Sequence, residues 1–181
     1  MWAITVVGFF MFSRLSNLLP STKNFDVAKQ LKKSHVKVAS DCVIINTSWS
    51  KVIQLQDRIV STPLKAIPGS VICPKWSLVR ACRLSKSSDS DHLFAYWSNG
   101  QVKVILQSEY ISFLRKKLKK CGLNPQLYSG HSLRRGGATW AFRSGVPTEL
   151  IKHHGDWASD SYMLYLDFTL GDKLKTTWFM S

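Results

Sequence analysis

The stretch that decides the reading runs from Gly130 to Leu166, GHSLRRGGATWAFRSGVPTELIKHHGDWASDSYMLYL. His131 and Arg134 stand three apart, so on one helix both face one site. Gly155-Asp156-Trp157 follows, and then Tyr165. An arginine fork matches the oxygens of a phosphate. An imidazole titrates near neutral pH and can pass a proton. A phenol can attack phosphorus when cationic donors stabilise the charge that develops. This order of residue types suits phosphodiester cleavage by a tyrosine nucleophile, with no metal and no cofactor.

Each residue also has an ordinary reading. H-x-x-R recurs by chance, as a capping histidine beside a surface arginine. Gly136 and Gly137 weaken a helix and permit close approach of another backbone, either a packed helix, slightly favoured, or DNA. Trp157 can donate a hydrogen bond or simply fill a core. Tyr162 competes with Tyr165 as nucleophile and reads better as a core residue.

Working outward, the chain has 181 residues, 45% of them hydrophobic, enough for one domain with a sizeable core. Its formal net charge is +14, which points to a polyanionic partner, with nucleic acid ahead of an acidic membrane surface. Cys42, Cys73, Cys82 and Cys121 are scattered without a C-x-x-C pair, which fits a reducing compartment better than a disulfide or zinc framework. The apolar opening MWAITVVGFFMF lacks a basic leader and a cleavage site and is too short to span a bilayer. It reads as a buried helix that continues to Leu19 and stops at Pro20. A core helix with nothing before it raises the expectation of a fragment that lacks an N-terminal partner domain.

From His35 to Leu64, VKVA, CVIIN and KVIQLQDRIVSTPL are rich in β-branched residues and predict a small antiparallel meander. Residues 67–70 form a turn, Pro74 to Leu84 a helix, and 85–91 a polar loop. Leu93 to Ile105 is weakly strand-like. Glu109 to Cys121 is a basic amphipathic helix carrying Arg115, Lys116, Lys117, Lys119 and Lys120. That face is either simply solvated or set against phosphates. After a loop over 124–130, helices are expected over 131–144, 147–153 and 159–166, with Gly145 as a cap and Pro147 as a start. The fold class is α+β, mostly helical around a three-stranded antiparallel sheet.

Taken together, HSLRRGGATWAFRSGVP, the following GDW and the downstream tyrosine resemble the catalytic domain of the tyrosine recombinases, or phage integrases. The wording is most similar to recombinases of eukaryotic mobile elements of the crypton and DIRS-like kinds. The resemblance covers residues 1–181 as one catalytic domain, without the DNA-clamping helical domain that precedes it in the family. It places a first catalytic arginine at Arg14, in FFMFSRLSNLLP, and a catalytic lysine at Lys51, in TSWSKVIQ. Arg134, His131, Trp157 and Tyr165 complete the set.

The resemblance implies that Arg14 and Arg134 clamp the scissile phosphate. Tyr165 attacks to give a 3′-phosphotyrosyl link, and Lys51 protonates the departing 5′ oxygen. His131 assists proton transfer and Trp157 donates a hydrogen bond. Arg115, Lys116, Lys119, Lys120 and Arg135 are the expected DNA contacts. The implied partner is double-stranded DNA, bound by a tetramer on paired sites, with no membrane involved. The implied location is nuclear in a eukaryote and otherwise intracellular. The tail from Thr169, with Trp178 and Phe179, is either passed to a neighbouring copy or packed as a terminal helix. Where the family has an acidic residue after the first arginine, Ser16 and Asn17 stand here, and Asp156 sits beside the phosphate site.

Two rival readings remain. One is a catalytically idle DNA-binding remnant of a mobile element. The other is metal-dependent phosphodiesterase chemistry on His153, His154 and Asp156, whose single carboxylate makes a poor ligand set.

Overall fold

A computed structural model describes residues 1–49, 58–166 and 168–178. The apolar N-terminal segment forms α1 (Trp2–Phe10), flanked by α3 (Pro74–Ser85) on one side and α5 (Ser132–Arg143) on the other. A helix that is hydrophobic all round belongs in a core, and Ile4 and Val7 are fully buried. The approach of α5 depends on Gly137, where an added Cβ would fall 2.1 Å from the Phe9 carbonyl oxygen. Helix packing therefore accounts for that glycine.

The expected helix to Leu19 is instead two. α1 ends at Phe10, and α2 (Leu15–Leu18) starts after a break. The break is a Schellman turn: Phe12 N–H donates to the Phe9 carbonyl and Ser13 N–H to that of Gly8. Phe12 takes its left-handed position with φ 49°. A bulky residue there is a genuine outlier, and nothing in the local sequence announces it.

Three strands, β1 (Val36–Val38), β2 (Cys42–Thr47) and β3 (Val60–Lys65), form the antiparallel sheet in the order β1-β2-β3. Val43 pairs with Leu64 and Ile45 with Thr62. Val43, Ile45 and Leu64 turn into the main core with α1, α2 and α3. Pro63 is tolerated because β3 is an edge strand. The first part of the long third run, 50–57, lies outside the described residues, and Lys51 with it.

The weak strand signal over 93–105 resolves into a hairpin, β4 (Ala95–Ser98) and β5 (Gln101–Val104). Asn99 and Gly100 both have positive φ, 52° and 75°, the two-residue type I′ turn for which Asn-Gly is the strongest short signal. α4 spans Gln107–Lys120 and starts two residues earlier than expected, because Glu109 Oε2 accepts from the Leu106 N–H at 2.8 Å. Fully buried Tyr110 fixes α4 to α1 through Thr5 Oγ1, at 2.9 Å. Arg115, Lys116, Lys117, Lys119 and Lys120 are exposed. The loop before α5 contains a short 3-10 turn, Pro125–Leu127, capped by Asn124.

A second core holds Phe12, Ala138, Ile151, Trp157, Tyr162 and Leu166. It joins the break after α1 to α5, to α6 (Thr148–His154) and to a 3-10 helix over Asp160–Tyr165. That last element replaces the α-helix expected over 159–166. Gly145, at φ 82°, caps α5, and Pro147 precedes the first residue of α6. α7 (Leu170–Trp178) closes the described chain with Leu170, Leu174 and Trp178 exposed. Phe179 is outside the described residues. Among the described residues no helix is long and apolar enough to cross a membrane.

Candidate functional site

Arg134 is only 2% exposed and lies against Phe12 and Trp157 of the second core. Its Nη1 donates to the Phe12 carbonyl, which the break after α1 turns toward it. Its Cζ lies 3.6 Å from the centroid of the Trp157 ring, a cation–π stack. Its Nε and Nη2 are buried with no partner among the described residues. Burial lowers its pKa to about 10, with the nearby charge of Arg14 acting the same way. Tyr165 and Asp156 oppose that shift. Arg134 remains a cation at neutral pH, and two of its donor nitrogens are unspent. Leaving buried polar groups unpaired costs about 1–3 kcal/mol, more when charged. Such a cost persists where an anionic ligand supplies the missing acceptors.

Two backbone turns build this arrangement. The first is the break at Phe12, which also releases Arg14 from the helix. Arg14 caps α2 with extended backbone, φ −68° and ψ 143°, and is half-buried. The second is Gly155-Asp156-Trp157, again a Schellman turn. Asp156 N–H donates to the His153 carbonyl and Trp157 N–H to that of Lys152, with Asp156 left-handed at φ 50°. Gly155 is required because the Trp157 ring lies across it. An added Cβ would fall 1.6 Å from Trp157 Cζ3.

Asp156 does not stand as a bare carboxylate beside the phosphate position. Its Oδ1 accepts from Arg58 Nη2 at 2.7 Å, an ion pair from just before β3. Arg58 carried no sequence signal, since it sits in the middle of a strand-like run. His154 is also engaged: Nε2 lies 2.8 Å from the Phe10 carbonyl oxygen, and the ring meets Phe12 edge-on at 4.9 Å. Burial lowers its pKa, the Phe10 bond opposes this, and His153 lowers it further. Among the described residues, no three His, Cys, Asp or Glu side chains are placed to share a metal ion. The metal reading on His153, His154 and Asp156 therefore loses its geometric basis.

Tyr162 and Tyr165 share one face of the 3-10 helix, because residues three apart eclipse there. Both rings lie 6.0 Å from Trp157. Tyr162 is buried, as a core tyrosine should be, whereas Tyr165 is half-buried, its ring beside the Trp157 indole on which Arg134 stacks. The Tyr165 carbonyl accepts from Thr139 Oγ1, on α5. His131 is exposed at the N-cap position of α5, one turn before Arg134, with no side-chain cap bond. Arg135 is exposed beside it. Arg134 opens onto a small cleft of mixed polarity, which Ser13, Asn17, Thr62, Val60, His154 and Asp156 help to line. The structure thus brings Arg14, Trp157 and Tyr165 near Arg134, with His131 one helical turn away at the start of the same helix, while Lys51 falls outside the described residues.

No protein-family model and no curated protein matches the sequence. Solved structures do match in shape. The XerH site-specific recombinase, bound to difH substrate in a pre-cleavage complex, superposes with a TM-score of 0.66 at 17% identity, covering 97% of this chain and 45% of that one. The XerA recombinase gives 0.64 at 24%, covering 98% and 55%. The Tn1549 transposon integrase, in complex with circular intermediate DNA, gives 0.55 at 14%, covering 97% and 56%. This chain spans about half the length of these proteins. Its fold is the α+β fold of tyrosine recombinase catalytic domains.

Proposed function

We propose that this chain breaks and rejoins DNA strands through a covalent tyrosyl intermediate. The observation that carries the reading is the buried Arg134, with two nitrogens unpartnered among the described residues, near Arg14 and on the same indole ring that Tyr165 flanks. A phosphodiester in the cleft supplies oxygens to those nitrogens, and the two guanidinium groups stabilise the extra charge of the pentavalent transition state. The Tyr165 phenol oxygen bonds to phosphorus as the bond to the 5′ oxygen breaks, leaving a 3′-phosphotyrosine and a free 5′-hydroxyl. Lys51 is the proposed donor of the proton to that oxygen. His131 handles the proton leaving the phenol, and Trp157 holds Arg134 in place. The reverse attack by a 5′-hydroxyl restores the strand, and the covalent link conserves the phosphodiester bond energy. The fold shared with DNA-bound recombinases supports DNA as the substrate. Arg115, Lys116, Lys119, Lys120 and Arg135, exposed in a chain of net charge +14, are the proposed backbone contacts. Recombination between two sites calls for a homo-oligomer, for which a tetramer is proposed. A mobile-element origin of the crypton or DIRS-like kind rests on the sequence resemblance alone.

The test is a pool of 40-bp duplexes of random sequence, each with a central nick, so that the cleaved fragment diffuses away. A labelled DNA–protein adduct that survives denaturant and disappears in Tyr165→Phe is the expected result. DNA binding without any adduct supports instead a catalytically idle remnant.

A further inference from the structure

We infer that Thr139 is a positioning residue for the nucleophile: its hydroxyl, donated to the Tyr165 carbonyl, holds the tyrosine-bearing turn against the helix that carries Arg134. The inference rests on the function proposed above and names a residue which that reading did not require.

The tyrosine's own element is tied at its first residue by an exposed ion pair, Lys152 Nζ to Asp160 Oδ1 at 2.6 Å, and is held more weakly beyond it. Asp160–Tyr165 is six residues of 3-10 helix, a geometry with poorer hydrogen bonds that rarely persists in longer runs. At its N-terminus, Ser159 Oγ accepts from the Ser161 N–H at 3.5 Å, a marginal distance. In its middle, Tyr162 is buried against Trp157. Its C-terminal end carries Tyr165, and Leu164 beside it is 81% exposed. At that end, a hydrogen bond crosses to another element, from Thr139 Oγ1 to the Tyr165 carbonyl.

Thr139 and Arg134 are on the same helix, α5, five residues apart, about 7.5 Å along its axis. α5 is seated rigidly, since Gly137 lies against the α1 backbone and Ala138 is fully buried. One stiff element thus fixes both the guanidinium that would hold the phosphate and the carbonyl of the residue that would attack it. In-line attack depends on that mutual placement, and a displacement of about 1 Å can cost roughly 100-fold in rate. A threonine half-buried in mid-helix ordinarily returns its hydroxyl to the carbonyl four residues back. Here it is spent on a partner 26 positions away.

The experiment compares wild type, Thr139→Val and Thr139→Ser. Valine keeps the shape and removes the donor, whereas serine keeps the donor. The readouts are the single-turnover rate of adduct formation on the nicked random-sequence pool, the affinity for the same pool, and the thermal midpoint. Thr139→Val is expected to form adduct about 10- to 100-fold more slowly, with DNA affinity and midpoint close to wild type. Thr139→Ser is expected to recover most of the rate. A Thr139→Val rate equal to wild type overturns the role of Thr139 while leaving the proposed function standing. The same holds if Thr139→Ser is as slow as the valine variant. If wild type forms no adduct, the proposed function fails and the positioning role with it.

Discussion

The guanidinium of Arg134 stacks on Trp157, its Cζ 3.6 Å from the ring centroid, and the same ring lies against Gly155. The indole therefore touches both a backbone turn and a buried cation. In the resemblance-based reading Trp157 acts through its N–H. The stack on Arg134 adds a second contact, through the ring itself.

The two roles separate experimentally. Trp157→Phe retains a ring face and loses the N–H, and Trp157→Ala loses both. The phenylalanine variant is expected to keep adduct formation within about tenfold of wild type. The alanine variant is expected to lose about 3–5 kcal/mol of stability, as truncations of a buried tryptophan do. Chemical denaturation and the nicked-duplex assay check this. A phenylalanine variant that folds normally but forms no adduct would assign the role to the indole N–H.

Two glycines next to helix ends are expected to behave differently on substitution by alanine. At Gly145, φ is 82° and nothing lies within 4 Å of the added Cβ, so the cost is backbone strain alone, about 1–2 kcal/mol. At Gly155 φ is ordinary, but the added atom would overlap the Trp157 ring. Overpacking of that kind costs about 1–3 kcal/mol, and here it also displaces the ring under Arg134. Gly145→Ala should therefore lower the thermal midpoint with adduct chemistry intact. Gly155→Ala should lower both.

Much of this was legible in the sequence, for physical reasons that differ by element. β2 and β3 show because β-branched runs are local signals, and α5 shows because its apolar spacing and Gly145 cap are both written in order. The grouping of Arg14 with Arg134 came from resemblance, since no periodicity links residues 120 positions apart. The break at Phe12 is invisible in the sequence because a phenylalanine carries no preference for left-handed backbone; its ring packs against His154 and Trp157 and its carbonyl accepts from Arg134, all distant in the chain. The β4–β5 hairpin was missed although Asn99-Gly100 is a recognisable turn signal. The role of Arg58 was hidden because an ion pair across 98 positions leaves no trace in either segment.

Acid should destabilise the fold through His92. This residue is buried, its Nδ1 accepts from the Phe94 N–H at 3.0 Å, and burial lowers its pKa from 6.5 to about 4. The unfolded chain binds a proton that the folded chain excludes between those values. The contribution is thus fully present above pH 6.5 and is lost as pH falls toward 4, on the order of 3 kcal/mol in all. His154, also lowered by burial, contributes with the same sign. Unfolding free energies measured from pH 7 to 4 should fall along this limb. His92→Asn, which keeps an acceptor for Phe94 and cannot titrate, should flatten it.

Arg134→Met separates stability from function at one position. Breaking a buried ion pair usually costs about 3–5 kcal/mol because it strands a charge. Arg134 has no anionic partner at hydrogen-bond distance among the described residues, and two of its nitrogens are unsatisfied. Methionine forfeits the bond to the Phe12 carbonyl, a loss of about 1–3 kcal/mol. It also removes the desolvated charge and its repulsion from Arg14, which offsets that loss, and its thioether still packs on Trp157. In the absence of DNA, Arg134→Met should unfold within about 1 kcal/mol of wild type, while forming no adduct. A loss of 3 kcal/mol or more would mean that Arg134 holds the second core together, and that its free nitrogens are not kept for a phosphate.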